Sequence, residues 1–373
     1  MKKVLFLIHD LGHGGAEKVL VNLVNHMDPN RFDITVTVLF GDGVNEQFLA
    51  PHVHLKRVFS RSFRGNSHLM KLLSPRQLHR LCVKERYDIE ISYLEGPSAR
   101  VISGCEDENT KLIAWIHCTM KSMKDIAASF RSEREAENCY QRFDRMVFVS
   151  EGTRDAFLEH CPLQGESQVI YNTNASDLIL QWAVEEVEEG FFDPGVFTWC
   201  SAGRLIPVKR FDRMIRIQKR LREEGYPVRL LVLGEGELRR ELEQQVKNCG
   251  IGDSVRFLGY QTNPYKYMAR SDLFVCASMS EGFSTAATEA LIVGTPVCTV
   301  EVSGMKEMLG ENDEYGIVTA NDEEALYQAM KRLLDDPALL AHYCEKAKER
   351  GLTFATEKTV AAVEEMLMEI SAV

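Results

Sequence analysis

The 373 residues exceed the length at which one hydrophobic core keeps growing, so two domains of roughly 150 to 200 residues each are expected. A hydrophobic fraction of 45% beside 27% charged residues is that of a folded chain, and a net charge of -11 excludes generic nucleic-acid binding, which needs a cationic excess. The 10 cysteines are scattered without a CxxC pair and read as reduced core thiols rather than a disulfide frame.

The chain opens on MKKVLFLIHD, whose apolar run VLFLI is too short for a secretory leader and reads as a buried strand, 4–8. No run nears the roughly 18 apolar residues that span a bilayer, so the expected location is cytoplasmic, or peripheral on the inner face of the membrane. After the strand come Gly12, Gly14 and Gly15, then AEKVLVNLVNHM, with Val19, Leu20, Leu23, Val24 and Met27 in one stripe at helical spacing. Glycines between a strand and a helix let backbone N–H groups approach a phosphate, although a tight turn without ligand has the same pattern. As a dinucleotide fingerprint the stretch is weak, because Glu17 stands where GxGxxG wants glycine, even with Asp42 near the end of the next strand.

Strands follow at 34–40, 89–94, 112–117 and 146–150, each read as buried on both faces, the mark of a parallel sheet. Between the first two lies Lys56–Arg86, with Lys56, Arg57, Arg61, Arg64, Lys71, Arg76, Arg80, Lys84 and Arg86 against Glu85 alone. Leucines interleave with these cations while Pro75 interrupts any single helix, so the run fits an anionic membrane surface or a solvated face. Acid, glycine and proline in 173–195 mark a linker. The expected domains are 1–172, 196–354 after that linker, and a terminal helix, 355–373, crossing back to the first domain.

The second half repeats the strand rhythm in VFTWCSAG, RLLVLG, VRFLG, LFVCAS, TPVCTV and YGIVT. GRLIPVKRFD follows its first strand, and Arg204 and Lys209 in a strand-end loop suit a diphosphate or a solvated basic loop. Gly234-Glu235-Gly236 makes another strand-to-helix turn. In SEGFSTAATEALIVGTP, Ser284 or Thr285 caps a helix with Glu281 before it and Glu289 about one turn inside. Two carboxylates flanking an anion site could hold two polyols on either side of a phosphate bridge, the shape of a nucleotide sugar; a dipole partner and a surface acid are the alternative.

GGAE at 14–17, GRL with Lys209, LGEGEL, the E-x7-E pair in SEGFSTAATEAL, and GTPV followed by SGMKEM together resemble glycosyltransferase family 4 over nearly the whole chain. The resemblance implies a GT-B α/β architecture, with two doubly wound Rossmann-like domains facing a central cleft, and a retaining transfer. It assigns Arg204, Lys209, Gly14 and Gly15 to the donor diphosphate. Glu281 and the backbone of Gly282, Phe283, Ser284 and Thr285 go to the donor sugar, and Glu289 to the ribose. His117, closing AWIHCT, takes the place of a family histidine that faces the transferred sugar, so the expected catalytic pair is His117 and Glu281. Glu95 is a further candidate for acceptor or donor contact. Two positions depart from the family pattern: Lys209-Arg210 where many members have Lys-Gly, and Ser284 where proline is common.

No DxD is present, and HxH at His52 and His54 and the His9/His13 spacing lack a supporting cysteine or acid cluster, so no metal and no cofactor are expected. The expected activity is transfer of a hexose or N-acetylhexosamine from a nucleotide-diphosphate sugar, UDP-linked by preference, to a glycan or lipid-linked acceptor in surface polysaccharide synthesis. A GT-B nucleotide-sugar epimerase and a non-catalytic nucleotide-sugar-binding protein are the alternatives.

Overall fold

The structure is a computed structural model that describes residues 1–12, 14–41, 43–60, 70–163, 165–188 and 190–372. It divides into two compact units: residues 1–174 with the helix Thr356–Ile370, and Ala175–Ala355.

The first unit holds a sheet of β1 (Lys2–Ile8), β2 (Phe32–Phe40), β3 (His54–Phe59), β4 (Ile89–Ser92), β5 (Lys111–Ile116), β6 (Arg145–Phe148) and β7 (Glu166–Val169). All pairings are parallel and the order is β3-β2-β1-β4-β5-β6-β7. Chain direction across the sheet reverses between β1 and β4, and open parallel sheets bind ligands at the carboxyl ends of strands beside such a point. The edge strands β3 and β7 are absent from the sequence reading. Their residues are all partly buried or exposed and several carry charge, so they lack the apolar run that marks a central strand.

Behind β1, the helix Gly15–His26 buries Val19, Leu20, Val21, Leu23 and Val24, while Met27 caps it. The terminal helix Thr356–Ile370 lies against this one, and Glu364 accepts from the Asp28 amide at 2.7 Å and pairs with Arg31 at 2.6 Å.

The second unit is built on β8 (Phe197–Ala202), β9 (Val228–Leu233), β10 (Val255–Gly259), β11 (Leu273–Cys276), β12 (Val297–Val300) and β13 (Ile317–Thr319). They are again all parallel, in the order β10-β9-β8-β11-β12-β13. The switch point here is between β8 and β11. At the core, Trp199 donates to Gln218 at 2.7 Å, and Gln218 donates to the carbonyls of Val228 and Ser254, so each buried polar group of this trio has a partner.

The stretch 173–195 differs from the expected linker. It contains the helix Ser176–Ala183, which belongs to the second unit and buries Ile179 and Ala183 there; Asp177 lies in its first turn, and the run of glutamates with the glycines and proline follows it.

The charge run also differs from its linear reading. Pro75 occupies the first turn of the helix Pro75–Cys82, where its missing N–H leaves nothing unpaired, behind a Ser74/Gln77 capping box. Lys56 pairs with Glu85 at 2.6 Å, Arg57 with Glu46, Arg76 and Arg80 with Glu106 at 3.4 and 2.7 Å, and Arg86 with Asp107 at 3.7 Å. Four of these cations thus meet Glu46, Glu106 or Asp107 from elsewhere in the first unit, and Lys56 meets the one acid of the run itself. Arg61 and Arg64, like His13 and Asp42, lie outside the described residues.

Candidate active site

In the second unit the site grows from the carboxyl ends of β8 and β11. Gly203 ends β8 with φ at 158°, Arg204 is exposed, and Leu205 turns fully inward. The Leu205 amide donates to the Glu235 carbonyl at 2.9 Å and the Leu238 amide to the Leu205 carbonyl at 3.0 Å, so the two strand-end loops form one ladder. Gly234 and Gly236 permit it: a Cβ on Gly236 would stand 2.5 Å from the Leu205 carbonyl oxygen, and one on Gly234 would collide with that of Gly203. These glycines serve loop-to-loop contact.

Pro207–Lys209 then makes a single 3-10 turn, and Arg210 sits in the left-handed region at φ 53° before the helix Phe211–Glu223. That conformation accounts for glycine in the Lys-Gly pattern, since glycine adopts it without strain, and it makes the arginine here a strained departure. The Arg210 guanidinium grips Asp212 at 3.0 and 3.1 Å and so acts as a helix-end brace.

Lys209 points the other way. Its Nζ is 2.5 Å from Glu281 Oε1, with side chains only 26% and 10% exposed. Burial works against the ammonium, but the Glu281 charge outweighs it and Lys209 titrates above the ordinary lysine range. Beneath the pair lies buried Cys276, whose Sγ is 3.8 Å from the same carboxylate oxygen, and the Met279 amide donates to the Val208 carbonyl at 2.8 Å. The loops after β8 and β11 are thus joined by backbone and by charge.

From Glu281 the chain passes through Gly282 and buried Phe283, whose ring meets Phe354 edge-on at 5.8 Å. Gly304 lets this turn close up, because a Cβ there would stand 2.8 Å from the Gly282 carbonyl oxygen. Ser284 caps the helix Thr285–Ile292 by accepting from the Ala287 amide at 3.5 Å. Its amino end lies one turn beyond the Lys209–Glu281 pair, a disposition suited to an anion. Glu289, 4% exposed, lies within this helix, and Tyr265 donates its hydroxyl to Glu289 Oε1 at 3.2 Å. Tyr265 is absent from the sequence reading. The Asn-Pro turn ahead of it at a strand end was the available signal.

In the first unit, Asp10 accepts from the Gly12 amide at 2.7 Å and holds His9 at 2.7 Å, which keeps Asp10 below the usual carboxylate range. Gly14 is the N-cap of the helix that begins at Gly15, and the Glu17 carboxylate folds back over its α-carbon. At the ends of β4 and β5, Glu95 accepts from the His117 backbone amide at 2.9 Å. His117 itself is 8% exposed, against the ring of Tyr93 (4.7 Å) with that of Trp115 beyond (6.2 Å). Its Nε2 has no hydrogen-bond partner among the described residues. Burial pushes its pKa down to about 3, so at neutral pH it is an uncharged imidazole, able to exchange hydrogen bonds with a hydroxyl.

The two histidines of the HxH stretch have local partners. His52 meets the Val24 carbonyl at 3.3 Å and His54 meets Asp33 at 3.3 Å. Among the described residues, His79, Glu90 and Cys105 bring one potential ligand atom each within 4.8 Å of one another. His79 Nε2 and Glu90 Oε2 are 2.7 Å apart, a hydrogen-bond separation, whereas two bonds of about 2.0–2.1 Å at the tetrahedral angle hold ligands about 3.3 Å apart. The trio is a buried ion pair with a thiol beside it.

Two family profiles match this chain: Glycosyltransferase Family 4 over residues 13–173, and Glycosyl transferases group 1 over residues 185–350. The chain belongs to the family 4 glycosyltransferases. This glycosyltransferase is 28% identical over 95% of its length, and 96% of the relative's, to the N-acetylgalactosamine-N,N'-diacetylbacillosaminyl-diphospho-undecaprenol 4-alpha-N-acetylgalactosaminyltransferase of Campylobacter jejuni. A second N-acetylgalactosaminyltransferase of that organism, acting on a diNAcBac-PP-undecaprenol glycan, is 24% identical over 95% of each chain. Among solved structures, HepE of Anabaena in complex with UDP and glucose superposes with a TM-score of 0.75 at 20% identity, covering 99% of this chain and all of that one. TarM of S. aureus, solved with UDP and alpha-GlcNAc-glycerol among its ligands, gives 0.76 at 14% identity with both chains fully covered. The fold is GT-B. Among the described residues no helix is long and apolar enough to cross a membrane.

Proposed function

We propose that this glycosyltransferase moves an N-acetylhexosamine or hexose from a UDP-sugar to a lipid-linked glycan in surface polysaccharide assembly. Transfer proceeds with retention at the anomeric carbon and without a metal ion. Support for the sugar and the acceptor comes from the two relatives named for N-acetylgalactosaminyl transfer to undecaprenol-linked glycans, and for UDP from the HepE and TarM complexes.

The observation that carries the reading is the Lys209–Glu281 pair beside the amino end of the helix Thr285–Ile292, with Glu289 inside that helix. In it Arg204 and Lys209, with the backbone of Gly14 and Gly15, take the diphosphate. Glu281 and the backbone from Gly282 to Thr285 hold the sugar, Glu289 holds the ribose, and uncharged His117, with Glu95 fixing its backbone, faces a sugar hydroxyl. Two cations and a helix terminus offset the charge that develops on departing UDP, which is the work a divalent ion performs elsewhere.

The acceptor oxygen attacks on the face from which UDP leaves. The C1–O bond to the diphosphate breaks, the C1–O bond to the acceptor forms, and the acceptor proton passes to a phosphate oxygen. Glu281, already paired with Lys209, positions the sugar and forms no covalent bond. Peripheral attachment to an anionic membrane through the Lys56–Arg86 face is a further part of the proposal, on a narrower footing than the linear charge suggests, because five of those cations have acid partners.

The test is to incubate the protein with UDP-GalNAc, UDP-GlcNAc or UDP-glucose and a polyprenyl-diphospho-sugar, with and without EDTA. Acceptor-dependent UDP release that survives EDTA, with an α-linked product by NMR, is expected. Acceptor-free isomerisation of the donor would instead identify an epimerase.

A further inference from the structure

We infer that Tyr265 is a positioning residue for the nucleotide end of the donor: its hydroxyl fixes the Glu289 carboxylate in the orientation that receives the ribose diol. This rests on the proposed role of Glu289 and assigns a second residue to it. Tyr265 Oη lies 3.2 Å from Glu289 Oε1, across 24 positions of sequence, and the two side chains are 3% and 4% exposed.

A glutamate that must accept from two neighbouring hydroxyls works only with its carboxylate plane set. Left to itself, it gives up rotamer freedom on binding. A phenol donating to one oxygen removes much of that freedom before the nucleotide arrives.

Tyr265 is itself firmly seated. It opens the short helix Tyr265–Met268 behind Pro264, and the side-chain Nδ2 of Asn263 in the turn before it donates to the Trp182 carbonyl at 2.9 Å. The Trp182 ring lies 6.2 Å from that of Tyr265, and Thr295 donates to the Met268 carbonyl at 2.7 Å at the far end of the helix. Phenylalanine would fill the same space, so packing accounts for the ring and leaves the hydroxyl to be explained. That hydroxyl donates to the carboxylate proposed to read the ribose.

The test compares UDP with 2′,3′-dideoxy-UDP by isothermal titration calorimetry on the full-length protein. The wild type is expected to bind UDP at least about tenfold more tightly, each lost hydroxyl leaving a buried acceptor short of a partner. In Tyr265→Phe, UDP affinity should fall about tenfold while the dideoxy analogue stays within about twofold, so that discrimination collapses, and donor KM should rise with kcat little changed. A variant that discriminates as the wild type does overturns the role of Tyr265. A wild type that binds the two nucleotides equally, or does not bind UDP, overturns the donor reading of Glu289 and this inference with it. Should Tyr265→Phe not fold, 3,5-difluorotyrosine at position 265 keeps the ring and strengthens the donor. It must then shift UDP affinity severalfold and leave dideoxy-UDP unmoved; no shift overturns the inference.

Discussion

Lys209 and Glu281, 72 positions apart in the chain, meet with 2.5 Å between Nζ and Oε1, and so join the residue proposed for the diphosphate to the one proposed for the sugar. The pair neutralises itself before the donor binds, and a donor diphosphate competes with Glu281 for the ammonium. Removing either partner should therefore have opposite effects on nucleotide binding. Lys209→Ala strands a largely buried carboxylate and removes a phosphate cation, so UDP affinity should fall and kcat/KM should drop about a hundred- to a thousandfold. Glu281→Gln frees the ammonium, and its UDP affinity should equal or exceed that of the wild type. Calorimetry with UDP checks both; weaker UDP binding in Glu281→Gln would contradict the competition.

Gly236→Ala probes the ladder that holds Arg204. A Cβ set 2.5 Å from the Leu205 carbonyl oxygen forces the strand-end loops apart, so a loss of about 1–3 kcal/mol in stability is expected, with weakened UDP binding. Urea unfolding and UDP titration of the same variant measure the two effects.

Arg210→Gly should be almost silent. It relieves a left-handed arginine, worth roughly 1–2 kcal/mol, and loses a part-exposed pair with Asp212 worth about 0–1 kcal/mol. Greater chain entropy when unfolded takes back about another 0.4–1 kcal/mol. A denaturation midpoint and kcat/KM close to those of the wild type are expected, whereas a large fall in donor affinity would make Arg210 a phosphate ligand.

Two histidines of the first unit give stability opposite pH slopes. Burial alone would lower His79, but hydrogen bonds to Cys105 and Glu90 and the Glu90 charge overcome it and raise the group to about 9. The folded chain then holds a proton that the unfolded chain releases near 6.5. This stabilisation is complete below that value and is lost as pH rises through 9. His117, pushed down to about 3 by burial, has the reverse sign: the unfolded chain gains a proton below 6.5 that the folded chain refuses, so stability falls as pH drops from 6.5 toward 3. Thermal melting across pH should show the alkaline slope flatten in His79→Gln and the acid slope flatten in His117→Asn.

What was legible in the sequence follows burial. The central strands of both sheets announce themselves because both faces are apolar, whereas β3 and β7 do not, each having one open edge and charged residues such as Lys56 and Glu166. The helix Ser176–Ala183 was obscured by the acids that follow it. Glu281, Glu289, Arg204 and Lys209 stand out because short motifs at strand ends preserve local spacing. Contacts between distant segments leave no such trace. The Lys209–Glu281 ion pair, the Tyr265–Glu289 hydrogen bond, and the partners of Arg76 and Arg80 on Glu106 all join residues the sequence keeps apart. His117 was found by resemblance, and its burial and unpartnered Nε2 are properties of the fold.

The most direct measurement is acceptor-dependent UDP release by Glu281→Ala beside the wild type, with UDP affinity measured on the same samples. If Glu281 holds the transferred sugar, turnover falls at least about a thousandfold while the variant still binds UDP and melts like the wild type. Turnover within about tenfold of the wild type by a folded, UDP-binding variant would contradict the account.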